Sequence, residues 1–205
     1  MTPPVKRRPS GQHHGDLRNA LERAALELVA EKGPHGFSLN EASRRAGVSV
    51  AAPYKHFADR EALLAALAVT GYREQREQFA RAISALDDPA DQLAAFAAAY
   101  VRFAAEKPAL FDVTFYAGLD KARHPELAEA GDALLATLLP VAARITAGES
   151  AAFDLLLRIS SAAHGLAVFL RQGLFGVAAD ALEETAQRAA RTARALIADA
   201  KSPAA

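Results

Sequence analysis

The sequence has no cysteine and no net charge: 24 basic residues balance 24 acidic ones over 205 positions. The first absence excludes disulfides and thiolate metal sites and leaves the redox compartment open. The second argues neither for nor against a nucleic-acid partner. The opening stretch, MTPPVKRRPSGQHHG, has charges but no apolar region behind them, and no run as long as a bilayer crossing is free of charge. A soluble, cytoplasmic protein without a membrane partner is therefore expected. Catalytic signatures are missing as well. There is no G-x-S-x-G, no G-x-x-x-x-G-K and no dinucleotide glycine fingerprint, and the six histidines make no H-E-x-x-H or similar set. Asp87 and Asp88, like Glu183 and Glu184, are sequence neighbours, so each pair diverges rather than converging as an acid/base couple. No enzyme activity, cofactor or metal is expected.

What is present is apolar and helical. About half the residues are hydrophobic (51%), enough to build a core without staples. Alanine and leucine dominate, Pro and Gly fall mainly between the apolar-periodic stretches, and no strand alternation stands out, which predicts an all-α chain. Helices are expected near 16–32, 39–46, 50–56, 59–85, 89–106, 108–117, 125–147, 150–174 and 178–200. Asp59 reads as an N-cap, Pro89 and Pro108 as first-turn residues, and Gly118 and Gly148 as stops. The ends, 1–14 and 201–205, read as disordered. Charge is unevenly spread: up to Arg60 there are ten basic residues against six acidic, so a short basic head precedes a longer acidic body. The domains expected are a basic arm at 1–14, a small head at 15–60 and a larger helical bundle at 61–201.

The stretch FSLNEASRRAGVSVAAPYKHF carries the functional signal. Ser38 can cap a short helix, Gly47 can end it, and Ser49 can cap another after a three-residue turn, which is a helix-turn-helix. The small Ala42, Ser43 and Ala46 permit close approach while Val48 plugs the corner. Pro53, as the fourth residue of the second helix, would remove only the bond to the cap carbonyl. Val50, Ala51 and Ala52 are small enough to let a helix N-terminus approach the base edges and thymine methyls of B-DNA. Tyr54, Lys55 and His56 offer polar groups to flanking phosphates, and Ser38 and Ser49 add hydroxyls beside free backbone N–H groups. Asn40 and Arg44 can join them or remain solvated. Lys6, Arg7 and Arg8 read as a solvated tail or as an arm for a minor groove. Phe57 is expected to turn inward onto Leu21, Leu28 and Phe37.

From Asp16 to Leu67 the sequence resembles the DNA-binding head of the TetR family of bacterial repressors. The first helix ends in E-K-G, followed by A-G-V-S, Y-K-H-F and A-D-R-E-A-L-L at fixed spacing. The resemblance implies phosphate contacts from Tyr54, Lys55, His56 and Arg60, and base-edge contacts from Val50, Ala51 and Ala52. Ala42, Ser43 and Pro53 depart from the usual larger aliphatic, alanine and leucine.

One such head makes few contacts, so a homodimer reading two half-sites about 34–36 Å apart is expected. The final helix carries Leu182, Ala186, Ala189, Ala193 and Leu196 at spacings of four and three, and the preceding one carries Phe153, Leu156, Ile159, Ala163 and Leu166. These stripes serve either a four-helix dimer interface, which is how the family pairs, or the subunit's own core. The middle segment places Phe96, Tyr100 and Phe103 on one stripe and Phe111 and Phe115 one turn apart on the next helix. Such stripes serve as core or as pocket wall. In SSAAHGLAVF, His164 interrupts an apolar helix that also carries Val168, as a satisfied structural group or as one that orients a small-molecule ligand. The Y-V-R-F-A-x-E-K-P-x-L-F run and the H-G pair resemble the C-terminal domain of a subgroup with a Trp-His-Gly signature, with Ser160 and Ser161 where its tryptophan is expected. That implies an unknown small apolar or amphipathic effector among these helices, releasing the repressor from operator DNA. The rival reading is a helical ligand-binding or protein-interaction module whose head is only structural.

Overall fold

The computed structural model describes residues 12–176 and 180–201, with side chains from residue 17 onward. Among them every regular element is helical, as an all-α reading requires: α1 Gln12–Lys32, α2 Leu39–Arg45, α3 Arg60–Ser84, α4 Pro89–Glu106, α5 Pro108–Tyr116, α6 Pro125–Ala143, α7 Glu149–Arg171 and α8 Ala181–Lys201. The arm residues Lys6, Arg7 and Arg8, and the last four residues, lie outside the described residues. α1 begins at Gln12, inside the stretch read as a disordered arm.

Local chemistry explains the boundaries. Ser38 Oγ accepts from Glu41 N (3.2 Å) at the start of α2, and Asp59 caps α3 by accepting from Ala62 N (2.8 Å). Asp88 caps α4 ahead of Pro89, and Pro108 and Pro125 open α5 and α6 at positions where an N–H would have no helical partner. At the end of α2, Gly47 (φ 70°) donates to Arg44 O (3.1 Å) and Val48 donates to Ser43 O (3.0 Å). That pair of bonds is a Schellman stop, and it turns Val48 back onto the head core.

One expected element is absent. In place of an α-helix over 50–56 there is a turn and a single 3-10 stretch, Pro53–Lys55. Pro53 has no N–H to give to Ser49 O, and its ring would crowd that carbonyl. The chain tightens instead: Ala52 donates to Ser49 O (3.0 Å), and His56 and Phe57 both donate to Pro53 O (2.8 and 2.9 Å). Ser49 therefore has no helix to cap.

Two apolar clusters organise the molecule. The first joins Leu21, Leu28, Phe37, Leu39, Ala42 and Phe57 to Leu63, Leu64 and Leu67 of α3, with Val113, Ala117 and Leu127 from the body. The head core consequently runs past residue 60, where the sequence reading cut it. The second gathers Phe79, Phe96, Phe103, Phe111 and the inner faces of α4, α7 and α8. α4 packs on α8, α7 and α3, while α1 rests on α2 and α5. α3 spans both clusters. It meets α5 so closely that a Cβ on Gly71 would lie 2.4 Å from Thr114 Oγ1 and force that hydroxyl from its bond to Leu110 O.

The stripes read as a dimer surface are mostly consumed inside the subunit. Leu156, Ile159, Ala163, Ala186, Ala189 and Ala193 are all buried, since α4 lies across α7 and α8 and covers them. That enclosure removes these six from any face a second copy could meet. Phe153 is exposed, and Leu166, Leu182 and Leu196 are half-buried.

Candidate functional site

Two places carry chemistry: the surface around residues 49–56, and a cavity in the body.

At the head surface, Pro53 and Phe57 are buried and anchor the segment between them. The residues around these anchors consequently face outward: Val50 is 52% and Tyr54 58% exposed, and Ser49, Ala51 and Lys55 are exposed as well. Ala52 and His56 are half-buried. Ser38, Asn40 and Arg44 are exposed on and beside α2. Their neighbour Arg45 is occupied, donating both terminal nitrogens to Glu31 (2.7 and 2.8 Å) and so tying α2 to α1. Arg60 is also engaged: it donates to Pro34 O (2.7 Å) and lies over the Phe37 ring. Its place beside the segment is as much structural as available to phosphate. Ser43, the departure from alanine, is fully buried and returns its hydroxyl to Leu39 O (2.8 Å).

The cavity, of about 200 Å³, lies between α3, α4, α6 and α7. Phe96, Tyr100 and Phe115 line it. Phe103 and Phe111 do not: both are fully enclosed core rings. His164 is absent from the wall and sits behind Tyr100, with the Tyr100 hydroxyl 3.0 Å from its Nδ1 and the Tyr116 hydroxyl 3.3 Å from its Nε2. A neutral imidazole between two phenols donates to one and accepts from the other. Burial, followed by the Arg171 guanidinium, pulls its pKa below the usual histidine range. Burial pushes the Tyr100 phenol well above its usual range. Val168 is half-buried and likewise not part of the wall.

Sequence patterning does not single out the walls supplied by α3 and α6, among them Tyr72, Gln75, Leu134 and Leu138. A signal for α3 was present: Leu67, Gly71, Gln75, Phe79 and Ile83 recur every fourth residue and are all buried, which puts a glutamine on an apolar stripe. Among the described residues no group of three or more His, Asp or Glu converges as a metal cluster.

Comparison with known proteins agrees with this anatomy. Residues 22–67 match the family described as bacterial regulatory proteins, tetR family. Residues 93–193 match the tetracyclin repressor-like C-terminal domain. A protein of unknown function from Rhodococcus sp. RHA1 is 30% identical, with a TM-score of 0.74 over 91% of this chain and 98% of its own. A TetR family transcription regulator from Marinobacter aquaeolei VT8 is 22% identical, with a TM-score of 0.72 over 90% and 97%. The fatty acid degradation regulator FadR from Bacillus halodurans shares the fold at 14% identity, with a TM-score of 0.65 over 92% and 97%. No curated protein matches the chain. The fold and head place it among helix-turn-helix transcription regulators. The chain belongs to the tetR family, whose members are non-enzymatic regulators that bind operator DNA and usually dimerise.

Proposed function

We propose that the protein acts in the cytoplasm as a homodimeric repressor that lays its 49–56 segments into successive major grooves and leaves its operator when a small apolar or amphipathic molecule fills the body cavity. The observation that carries the DNA reading is the exposure of Val50, Tyr54 and Lys55 between two buried anchors, Pro53 and Phe57. A segment pinned at two points presents its outward side chains with little ordering left to complete on binding. Val50, Ala51 and Ala52 face base edges, and Tyr54, Lys55 and His56 face phosphate.

Dimerisation is supported by α7. It is apolar enough and long enough to cross a membrane by length and composition, yet most of its apolar stretch is left uncovered by its own subunit. Asp154 and Arg158 interrupt it, and Arg158 pairs with Asp199 of α8 (2.7 Å). A second copy covers such a face more readily than lipid does. Effector release is supported by α3, which carries Tyr72, Gln75 and Phe79 of the cavity wall at one end and Leu63, Leu64 and Leu67 of the head core at the other. A ligand that fits one setting of α3 better than another shifts the heads by that difference in affinity.

The test is binding of the purified protein to fragments of the DNA upstream of its coding region, followed by footprinting and a salt titration. A footprint over two half-sites one helical turn apart, with affinity falling steeply with salt, is expected. Affinity that is independent of salt, or no duplex bound at all, returns the protein to the rival reading of a helical ligand-binding module.

A further inference from the structure

The body cavity holds one fully buried polar side chain without a partner among the described residues. Gln75 is 1% exposed and lines the cavity, and neither its Oε1 nor its Nε2 has a hydrogen-bond partner among the described residues. A buried primary amide left unpaired is a net loss to the fold, because it has given up its bonds to water for nothing in return. Its neighbours along α3, Gly71 and Phe79, are buried as well, so a hydrocarbon side chain would suit the stripe better.

The rest of the wall limits what can satisfy the amide. No acid or base lines the cavity, so an ionised group there would face apolar surroundings with no countercharge. The Tyr100 hydroxyl is already engaged with His164, and the Tyr72 and Ser160 hydroxyls that also line the wall are only half-buried and remain within reach of water. A primary amide presents a donor and an acceptor side by side, and its complement is a group with the same adjacent pair: a carboxamide, a lactam or an un-ionised acid. Size limits it further. A cavity of about 150 Å³ accommodates benzene, so the inner space of about 200 Å³ holds a single ring with a short polar substituent, and anything larger extends through the open mouth at Phe153 and Leu157.

We infer that the cavity takes a neutral, one-ring-sized apolar ligand bearing a carboxamide-like donor–acceptor pair, which docks by two hydrogen bonds on the Gln75 amide; this rests on reading the cavity as the effector site. The experiment uses the full chain, wild type and Gln75→Leu, with three probes of equal heavy-atom count: benzamide, its hydrocarbon counterpart cumene, and the benzoate anion. Binding is followed by ligand-observed NMR and thermal shift, and operator release by fluorescence anisotropy.

Benzamide should bind the wild type about tenfold tighter than the variant, the scale of one lost hydrogen-bonded pairing. Cumene should reverse that order, and benzoate should bind both proteins more weakly than benzamide. The empty Gln75→Leu protein should melt about 2–4 °C higher, because an unpaired buried amide has gone. An equal benzamide-to-cumene ratio in both proteins, a preference for benzoate, a lowered melting temperature of the variant, or no binding of any probe at millimolar concentration would each overturn the inference. A Gln75-dependent preference for benzamide with operator binding unchanged upholds the ligand chemistry and overturns the effector-release reading instead.

Discussion

Lys55 and Tyr54 carry the head's phosphate reading at the level of single residues. Both are exposed, so truncation leaves the fold intact and acts on binding alone. Lys55→Ala should weaken every duplex to a similar degree and lower the log-log salt slope by about 1, the share of one phosphate contact. Tyr54→Ala should weaken binding without changing the slope, since a phenol releases no counterion. An unchanged slope in the lysine variant would remove Lys55 from the interface. His164 is tested by pH. Burial and Arg171 lower its folded pKa below the 6.5 of the free side chain, so the unfolded chain takes up a proton more readily than the folded one. The stability this contributes is complete above about pH 6.5 and declines as pH falls from there through the folded pKa. The wild-type melting temperature should therefore fall between pH 7.5 and 5 by more than that of His164→Gln; parallel curves would show that the imidazole is not held neutral. The residues of the head were legible in the sequence because each stands in a short local motif. Those of the cavity were legible only in part, since Phe96 and Phe103 share a stripe and only packing decides which one meets empty space.

Elements show where sequence patterning reaches its limit. Caps and first-turn prolines set the starts of α2 to α6 close to where they are expected, because each is a local hydrogen-bonding decision. The element over 50–56 is the exception, and one atom decides it. Near the start of a long helix the missing N–H of Pro53 is a minor loss. In so short a segment the loss leaves too few bonds to hold an α-turn, and 3-10 bonds to Ala52 and Pro53 carbonyls replace them. Pro53→Ala restores the donor toward Ser49 O. Its Cα chemical shifts over residues 50–56 should move to α-helical values, whereas persistence of the 3-10 pattern would locate the cause in the anchoring of Phe57. The same logic explains the dimer stripes. Alternating spacings of three and four identify a buried face without saying which neighbour buries it. Here α4 takes the inner faces of α7 and α8, a partner that no pattern on α7 or α8 specifies.

Two heads read two half-sites only if the body holds them together, and the face left for that contact is the outer side of α7. Phe153 and Leu157, exposed one turn apart on α7 (47% and 53%), flank that side and line the mouth of the cavity. Farther along the helix a Cβ built on Gly165 would have no atom within 4 Å inside the subunit. Glycine in a helix interior costs roughly 0.5–1 kcal/mol relative to alanine, and nothing within the subunit requires it at this position. The close approach of a second helix in the proposed dimer would require it. Gly165→Ala should therefore raise the monomer's intrinsic stability slightly, and Gly165→Leu should fold with wild-type circular dichroism while driving a side chain into the partner's space. Sedimentation should show Gly165→Leu as a monomer at concentrations where the wild type is a dimer. Its operator affinity should fall more than tenfold, because a tether between heads supplies an effective concentration near millimolar that the monomer lacks. A Gly165→Leu protein that stays dimeric with undiminished operator affinity would exclude this face of α7 from the contact and leave the pairing surface to be sought on α8.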